Sequence, residues 1–184
     1  MDRATEPTDR TERSEPVERV NERDEIVSVV DRAEAIERGW LHRIATVVCR
    51  DPAGRVLVHR RPADAALFPG LLNWMLGGAV RVGESYETAA ARELAEETGV
   101  ETRPRFVLKF LCEGVISPYW LALHEVVIDT PLRPHPAEVA WYDWLPESEV
   151  HALSRHEDFV PDAREALARY RTHTQTQVTA PTDI

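Results

Sequence analysis

The sequence contains one lysine, two cysteines and a deficit of basic residues. Of its 184 residues, 22 are Lys or Arg and 32 are Asp or Glu, which gives a formal net charge of -10. An acidic chain lacks the positive surface on which general nucleic-acid binding depends, so a DNA or RNA polymer is not an expected partner. No apolar run approaches the roughly 20 residues of a membrane-spanning helix, so no membrane partner is expected either.

The two cysteines and the N-terminal composition indicate a compartment. Cys49 and Cys112 are too few for the disulfide framework of a small secreted domain. The first twenty residues contain no apolar signal region, so we do not expect a secretory leader. We therefore expect a cytoplasmic protein with free thiols. Its hydrophobic content of 43% is sufficient for one ordinary core.

The two ends of the chain differ in composition from its middle. Residues 1–23 are rich in Glu, Arg, Thr and Pro, and we expect a disordered acidic arm because such a segment buries too little apolar surface to fold. Residues 172–184 are polar and are expected to form a flexible tail. Residues 24–171 are then the single folded domain.

Strand and helix patterns are interleaved within that domain. The predicted strands are Ile26–Val30, Ile44–Arg50, Val56–Arg60, Phe106–Cys112, Tyr119–Ile128 and Val139–Trp144. The predicted helices are Arg32–Arg38, Ser85–Thr98, Glu147–Leu153 and Pro161–Tyr170. A Pro- and Gly-containing turn at residues 51–54 predicts a hairpin between the second and third strands. The pattern indicates an α/β fold with mixed layers around a sheet.

Three glutamates share one arc of the strongest predicted helix. At about 100° per residue, Glu93, Glu96 and Glu97 lie together beside the apolar residues Ala90 and Leu94. A solvated helix face usually places Lys or Arg four residues from Glu, whereas here Glu93 is followed by Glu97. Such a repulsive cluster favours a bound cation. Mg²⁺ suits it, because this ion takes one or two carboxylates and completes its shell with water and substrate phosphates.

The same stretch resembles the Nudix box, the signature of the Nudix hydrolase family. The matching positions are Gly78, Glu84, Arg92, Glu93, Leu94, Glu96, Glu97, Gly99 and Val100. The resemblance implies the Nudix fold, an α/β/α sandwich in which the box forms a loop-helix-loop. It also implies an enzyme that hydrolyses a nucleoside diphosphate linked to another moiety, with Mg²⁺ or Mn²⁺ as cofactor.

The resemblance further implies the roles of the box residues. The implied metal ligands are Glu93, Glu96, Glu97 and the backbone carbonyl of Gly77 or Gly78. Glu97 would be the central ligand, Glu93 or a neighbouring glutamate would help to deprotonate the attacking water, and Arg92 would hold a carboxylate in position. Metal ions suit this chemistry because they lower the pKa of bound water and neutralise the charge of a diphosphate.

Residues outside the box add candidates for substrate binding. Adjacent arginines can bind a diphosphate, and Arg60 and Arg61 end a strand shortly before the box. Because neighbours on a strand face opposite sides, only one of the two can point at the site. Trp74 is a candidate for stacking on a base, with packing in the core as its alternative. Glu113 and Glu138 are candidate carboxylates from outside the helix.

Two other functions stay open on the sequence. Several stretches are similar to the Nudix branch related to isopentenyl diphosphate isomerase, namely 31–35, 38–43, 59–61 and 68–70. That isomerase needs a reactive cysteine on the strand before the box, where residues 73–76 here read Asn-Trp-Met-Leu. The second alternative is a Nudix module that senses a nucleotide without catalysis. The expected partner is a small-molecule diphosphate; Nudix domains are often homodimers, and the oligomeric state is left open.

Overall fold

The computed structural model describes residues 14–179. Within that range the strands are β1 Pro16–Val20, β2 Ile26–Asp31, β3 Arg43–Arg50, β4 Val56–Arg60, β5 Leu72–Asn73, β6 Leu76–Ala79, β7 Arg105–Cys112, β8 Tyr119–Val127 and β9 Trp141–Leu145. The helices are α1 Arg32–Glu37, α2 Tyr86–Thr98, α3 Glu147–Leu153 and α4 Pro161–Thr179. The predicted mixed α/β class is confirmed.

The larger sheet is organised around β3. This strand pairs in parallel with β8 and antiparallel with β6, while β4 pairs with β5 and β9, and β7 lies outside β8. The predicted turn after β3 forms, because the Asp51 carboxylate accepts hydrogen bonds from the backbone N–H groups of Ala53 and Arg55. The hairpin itself is limited to the pair Arg50–Val56, since β3 diverges from β4 to pair with β6 and β8.

The sheet lies between helices, as the α/β/α prediction requires. Ala45, Val47 and Cys49 alternate along β3 and pack in one core with Leu94 of α2. Val48 points to the opposite face and belongs to a second core, which includes residues of α3 and α4. This alternation follows from the two-residue period of a strand. It fixes α2, the helix with the three glutamates, against one face of the sheet.

Helix α2 begins and ends where its capping residues predict. The Ser85 side chain accepts a hydrogen bond from the backbone N–H of Thr88, and Gly99 adopts a left-handed conformation with φ of 73°. The N–H of Gly99 closes the helix on the carbonyl of Ala95. Local signals of this kind are sufficient to define both ends of a helix.

The predicted disordered arm is wrong for the part of it that the structure describes. Residues 1–13 lie outside the described residues, but Pro16–Val20 forms β1, which pairs antiparallel with β2. Val17 is only 1% exposed and packs in a third core with Ala35 of α1. Backbone pairing and this apolar contact outweigh the polar composition of the segment. The folded unit therefore begins before residue 24.

Asp24, in the turn between β1 and β2, fastens this N-terminal hairpin to the main sheet. Its carboxylate accepts hydrogen bonds from Arg43 Nε at 2.6 Å, from Lys109 Nζ at 2.5 Å and from the Tyr86 hydroxyl. These partners belong to β3, β7 and α2. Burial opposes ionisation of Asp24, but the hydrogen bonds from Lys109 and Arg43 outweigh it and lower the pKa of the carboxyl.

The flexible C-terminal tail was predicted to begin at residue 172, and this boundary is too early. Helix α4 continues to Thr179, and residues 180–184 lie outside the described residues. Tyr170 is buried on this helix, and the Thr174 hydroxyl donates to the Tyr170 carbonyl. Packing of the first turns nucleates a helix that polar residues can then extend. None of the described helices combines the length and the apolar composition needed to cross a bilayer.

Buried His59 makes the fold sensitive to acid. Burial lowers its pKa from 6.5 to about 4, so the unfolded chain takes up a proton that the folded chain excludes. The stabilisation is complete above pH 6.5, is lost as the pH falls towards 4, and amounts to about 3 kcal/mol. We expect His59→Gln to flatten this part of the pH profile of the free energy of urea unfolding. The same substitution at exposed His135 should leave it unchanged; an unaltered profile in His59→Gln would contradict the assignment.

Candidate active site

A cavity of about 430 Å³ lies beside α2 and β6. Its lining carboxylates are Glu15, Glu93, Glu96, Glu97, Glu138 and Asp162, and its lining arginines are Arg32, Arg61, Arg81 and Arg92. Apolar side chains complete the wall, among them Phe68, Met75, Leu121 and Val160. The cavity therefore combines an acidic helix, several guanidinium groups and an apolar surface, which suits a ligand with both a charged and an uncharged part.

Two consecutive glycines bring β6 into contact with the carboxylates of α2. The N–H of Gly77 donates a hydrogen bond to Glu97 Oε1 at 2.7 Å. A Cβ atom on Gly77, whose φ is 139°, would lie 2.1 Å from the carbonyl oxygen of Ala45. A Cβ atom on Gly78 would lie 2.7 Å from Glu93 Oε1. Gly77 is therefore a glycine because the backbone of β3 lies close to it, and Gly78 because the Glu93 carboxylate does.

The carboxylates at this contact, buried Glu97 and half-buried Glu93, repel each other. Glu97 is 6% exposed, and burial raises its pKa to about 8, with repulsion from Glu93 and Glu138 adding to the effect and Arg61 opposing it. Burial also raises the pKa of Glu93, although the hydrogen bond from Arg92 opposes that shift. A cation bound here would relieve the repulsion and return these groups to their ionised form.

Arg92 organises the outer side of the carboxylate group. Its guanidinium donates to both oxygens of Glu84 at 2.9 Å, to Glu93 Oε1 at 2.5 Å and to the carbonyl oxygen of Ala79 at 3.0 Å. A guanidinium that is shared among several acceptors holds each of them in a fixed direction. Arg92 therefore ties α2 to the loop that precedes it and positions the side chain of Glu93.

Glu96 lies on the same cavity wall as Glu93 and Glu97 but differs from them in exposure and in its partners. It is half exposed, and its carboxylate pairs with Arg81 and Arg92, each at 3.2 Å. In the described part of the chain, no three His, Cys, Asp or Glu side chains are arranged as ligands around one point. Of the three glutamates expected to hold a metal, the structure directs Glu93 and Glu97 at β6 and draws Glu96 towards the two arginines.

The two adjacent arginines face opposite sides, as strand alternation requires. Arg61 lines the cavity, and its Nε donates to the carbonyl of Leu67 at 2.9 Å. Arg60 instead donates to the carbonyl of Gly70 at 2.7 Å and pairs with Asp158. Arg60 is not among the residues that line the cavity, so the structure does not bring it to the site, while Arg61 stays a candidate.

Trp74 was the other residue predicted to bind substrate, and this prediction is wrong. It is 1% exposed, its indole N–H donates to the carbonyl of Ala163 at 2.8 Å, and its ring meets that of Tyr170 edge to face. The step between β5 and β6 directs this side chain into the core beneath α4. Of the two additional carboxylates, Glu138 lines the cavity, whereas Glu113 is exposed and lies outside the lining.

Three polar residues of the cavity were missed in the sequence. Arg32 comes from the start of α1, His42 precedes β3, and Asp162 lies in the first turn of α4, where it accepts a hydrogen bond from the Tyr119 hydroxyl at 2.9 Å. No local spacing links them to the acidic helix, because they reach the cavity only through the packing of separate elements. Arg32 and His42 do lie in stretches that are similar to a Nudix subgroup.

In this site a loop-helix-loop places two glutamates opposite a pair of glycines at the edge of a cavity. This is the arrangement of a Nudix domain. The family profile described as NUDIX domain matches residues 40–170. The chain therefore belongs to the Nudix family. A Nudix hydrolase of Streptomyces coelicolor is 43% identical over 155 residues, which span 83% of this chain and 86% of that protein.

Other relatives and solved structures are similar across most of the chain. The Nudix hydrolase YfcD of Escherichia coli is 32% identical over 156 residues, covering 84% of this chain and 86% of its own. A crystal structure of a Deinococcus radiodurans protein is 28% identical, has a TM-score of 0.73 and covers 84% of this chain and 98% of that one. The relatives' names identify this chain as an enzyme of the Nudix hydrolase type.

The two cysteines offer no thiol to the cavity. Cys49 packs in the core beneath α2 and Cys112 in the core beneath α4, and neither is among the residues that line the cavity. Burial raises the pKa of Cys112 to about 12, so the group stays a neutral thiol. The reactive cysteine expected of an isopentenyl diphosphate isomerase therefore has no equivalent in this site.

The two glycines should respond differently to the same substitution. Gly77→Ala places a methyl group against the backbone of β3, and we expect a loss of more than about 2 kcal/mol in the free energy of unfolding. Gly78→Ala meets only the far end of the Glu93 side chain, which can move, so its unfolding free energy should change much less. Urea unfolding measured by circular dichroism compares them. Equal losses in the two variants would contradict the distinction.

Glu97 should destabilise the metal-free protein at alkaline pH. Its folded pKa of about 8 exceeds the usual 4.5, so its favourable contribution is present below pH 4.5 and is lost as the pH rises through 8. Glu97→Gln keeps an oxygen for the Gly77 N–H and carries no charge. With a chelator present, we expect this variant to be more stable than the wild type above pH 8 by roughly 2–4 kcal/mol, and similar to it near pH 4.5. A less stable variant at alkaline pH would overturn the assignment.

Proposed function

We propose that this protein is a divalent-metal-dependent hydrolase of a nucleoside diphosphate linked to another moiety, and that it cleaves the diphosphate linkage with a metal-activated water. The observation that carries the proposal is the repulsion between the buried carboxylate of Glu97 and the half-buried carboxylate of Glu93 on the wall of a cavity that Arg61 also lines. Buried carboxylates without a bound cation are costly, whereas a cation and a phosphate group would balance them.

The residues present fit Mg²⁺, with Mn²⁺ as a substitute. Glu93 and Glu97 would be ligands, and the backbone carbonyl of Gly77 would be a further one. Glu96 would join them once its ion pairs with Arg81 and Arg92 open. Mg²⁺ needs only one or two carboxylates in addition to waters and substrate phosphates, so a complete protein cage is not required. When bound, the ion would supply charge neutralisation and a water of lowered pKa.

The chain's own residues would then perform the remaining steps. Arg61 would bind the diphosphate, and its hydrogen bond to Leu67 fixes the direction of its guanidinium. Glu93 would take the proton of the attacking water, with Glu138 as the neighbouring carboxylate on the cavity wall. Arg92 would act as a positioning residue, because its guanidinium holds the carboxylates of Glu93 and Glu84. The apolar part of the cavity suits the uncharged part of a nucleotide.

A substrate panel tests the reaction class. We would incubate the protein with nucleotide sugars, ADP-ribose, dinucleoside polyphosphates, nucleoside triphosphates, coenzyme A and prenyl diphosphates, and detect phosphorus products by nuclear magnetic resonance. Products should form with Mg²⁺ or Mn²⁺ and not with a chelator. Binding of a nucleotide without product would instead support a sensing module, and isomerised prenyl diphosphate would support the isomerase alternative.

Glu97→Gln separates catalysis from folding. We expect it to reduce turnover on the best substrate of the panel by about two orders of magnitude or more, because the central carboxylate is lost while the fold is retained. Glu113→Gln is the matched control, since Glu113 is exposed and outside the cavity lining, and its turnover should equal that of the wild type. Wild-type turnover in Glu97→Gln would refute the assignment.

A further inference from the structure

Arg32 enters the cavity from a part of the chain that the NUDIX profile does not include. The profile match begins at residue 40, whereas Arg32 is the first residue of α1 and follows the β1–β2 hairpin. Its backbone N–H donates to the carbonyl of Glu15 at 2.9 Å, which aligns the start of α1 with the segment before β1. The N-terminal hairpin and α1 therefore deliver one guanidinium to the cavity wall.

One edge of the Arg32 guanidinium lies outside its ion pair with Glu15. Arg32 Nη1 donates to both oxygens of Glu15, at 3.1 and 3.0 Å, so the edge formed by Nε and Nη2 is not used by this ion pair. Among the residues that the structure describes, Arg32 Nε is buried and has no hydrogen-bond partner. A buried donor without an acceptor is unfavourable, and two parallel N–H groups match the two oxygens of one phosphate or carboxylate.

Arg32 and Arg61 line the same cavity as Glu93 and Glu97. They reach it from separate elements, since Arg32 is the first residue of α1 and Arg61 follows β4. An anion with several consecutive phosphate groups offers oxygens to both guanidinium groups of one cavity.

We propose that Arg32 is a substrate-binding residue that takes an oxyanion beyond the diphosphate held at Glu93, Glu97 and Arg61, and thereby favours substrates with a longer phosphate chain. The inference rests on the proposed function and adds to it a substrate preference. The preferred class is a nucleotide with three or more consecutive phosphates, or one that carries an equivalent additional anion. The Nε–Nη2 edge of Arg32 donates two hydrogen bonds to that additional group.

Hydrolysis-resistant probes measure this preference without turnover. Methylene-bridged diphosphonate and triphosphonate would be titrated calorimetrically into the wild type and Arg32→Gln with Mg²⁺ present. The wild type should bind the triphosphonate about tenfold more tightly than the diphosphonate. Arg32→Gln should lose this difference, and its affinity for the diphosphonate should stay within about twofold of the wild type. The variant keeps the backbone bond to Glu15, so α1 should remain in place.

Glu15→Gln is the matched control for a merely structural role of the ion pair. It breaks the same pair but leaves Arg32 charged, so binding of the triphosphonate should be unchanged or tighter. The inference is overturned if Glu15→Gln loses affinity as Arg32→Gln does, or if Arg32→Gln weakens both probes equally or neither.

Measurements on the wild type distinguish a failure of this inference from a failure of the proposed function. Metal-dependent turnover of the substrate panel together with diphosphonate binding, but without a selective effect of Arg32→Gln, refutes only the role of Arg32. A wild type that neither hydrolyses the panel nor binds the diphosphonate refutes the proposed function and, with it, this inference.

Discussion

The close approach of β6 to α2 is the constraint on which the rest of the structure depends. Gly77 lies where a Cβ atom would clash with the backbone of β3, and Gly78 lies where one would meet the Glu93 carboxylate. In this arrangement the N–H of Gly77 donates a 2.7 Å hydrogen bond to Glu97. The same strand pairs with β3, so the site is anchored directly to the centre of the sheet. A side chain at the first position would disturb the pairing with β3, and one at the second would displace Glu93.

The site has a cost in stability that the surrounding cores offset. Glu97 is buried and Glu93 is half-buried, and both carboxyls have raised pKa values. Apolar residues of the same helix, with Leu94 fully buried, hold α2 in place despite this repulsion. Stability and function are thus assigned to neighbouring residues of one helix, a common compromise in enzymes.

The sequence predicts those features that local interactions determine. Helix α2 was predicted to within one residue at its start, because Ser85 and Gly99 define its ends and the glutamates follow the helical period. The contact between this helix and Gly77 was predicted only through the resemblance to a family. Trp74 was misassigned because a single aromatic residue between two short strands carries no information about the direction of its side chain. Its burial depends on α4, which follows it by almost ninety residues.

Errors at the N-terminus have a different physical origin. Averaged over residues 1–23 the composition is polar, and an average conceals that Val17 and Val20 fall on a pairing strand with a buried side. Arg32 was overlooked for a related reason, since its position in the cavity follows from the packing of that hairpin and α1 as a unit. Sequence patterns describe single elements well and the contacts between distant elements poorly.

The ion pair between Lys109 and Asp24 has a practical consequence. Lys109 carries the one side-chain amine of the chain and lies over the rings of Tyr86 and Trp120, at the junction where the N-terminal hairpin meets β7. Its side chain is 35% exposed, so acylating reagents can reach it. A reagent specific for side-chain amines would therefore place a single fluorophore or cross-linker at this junction. Acylation would also remove the positive charge of Lys109 and with it the ion pair to Asp24.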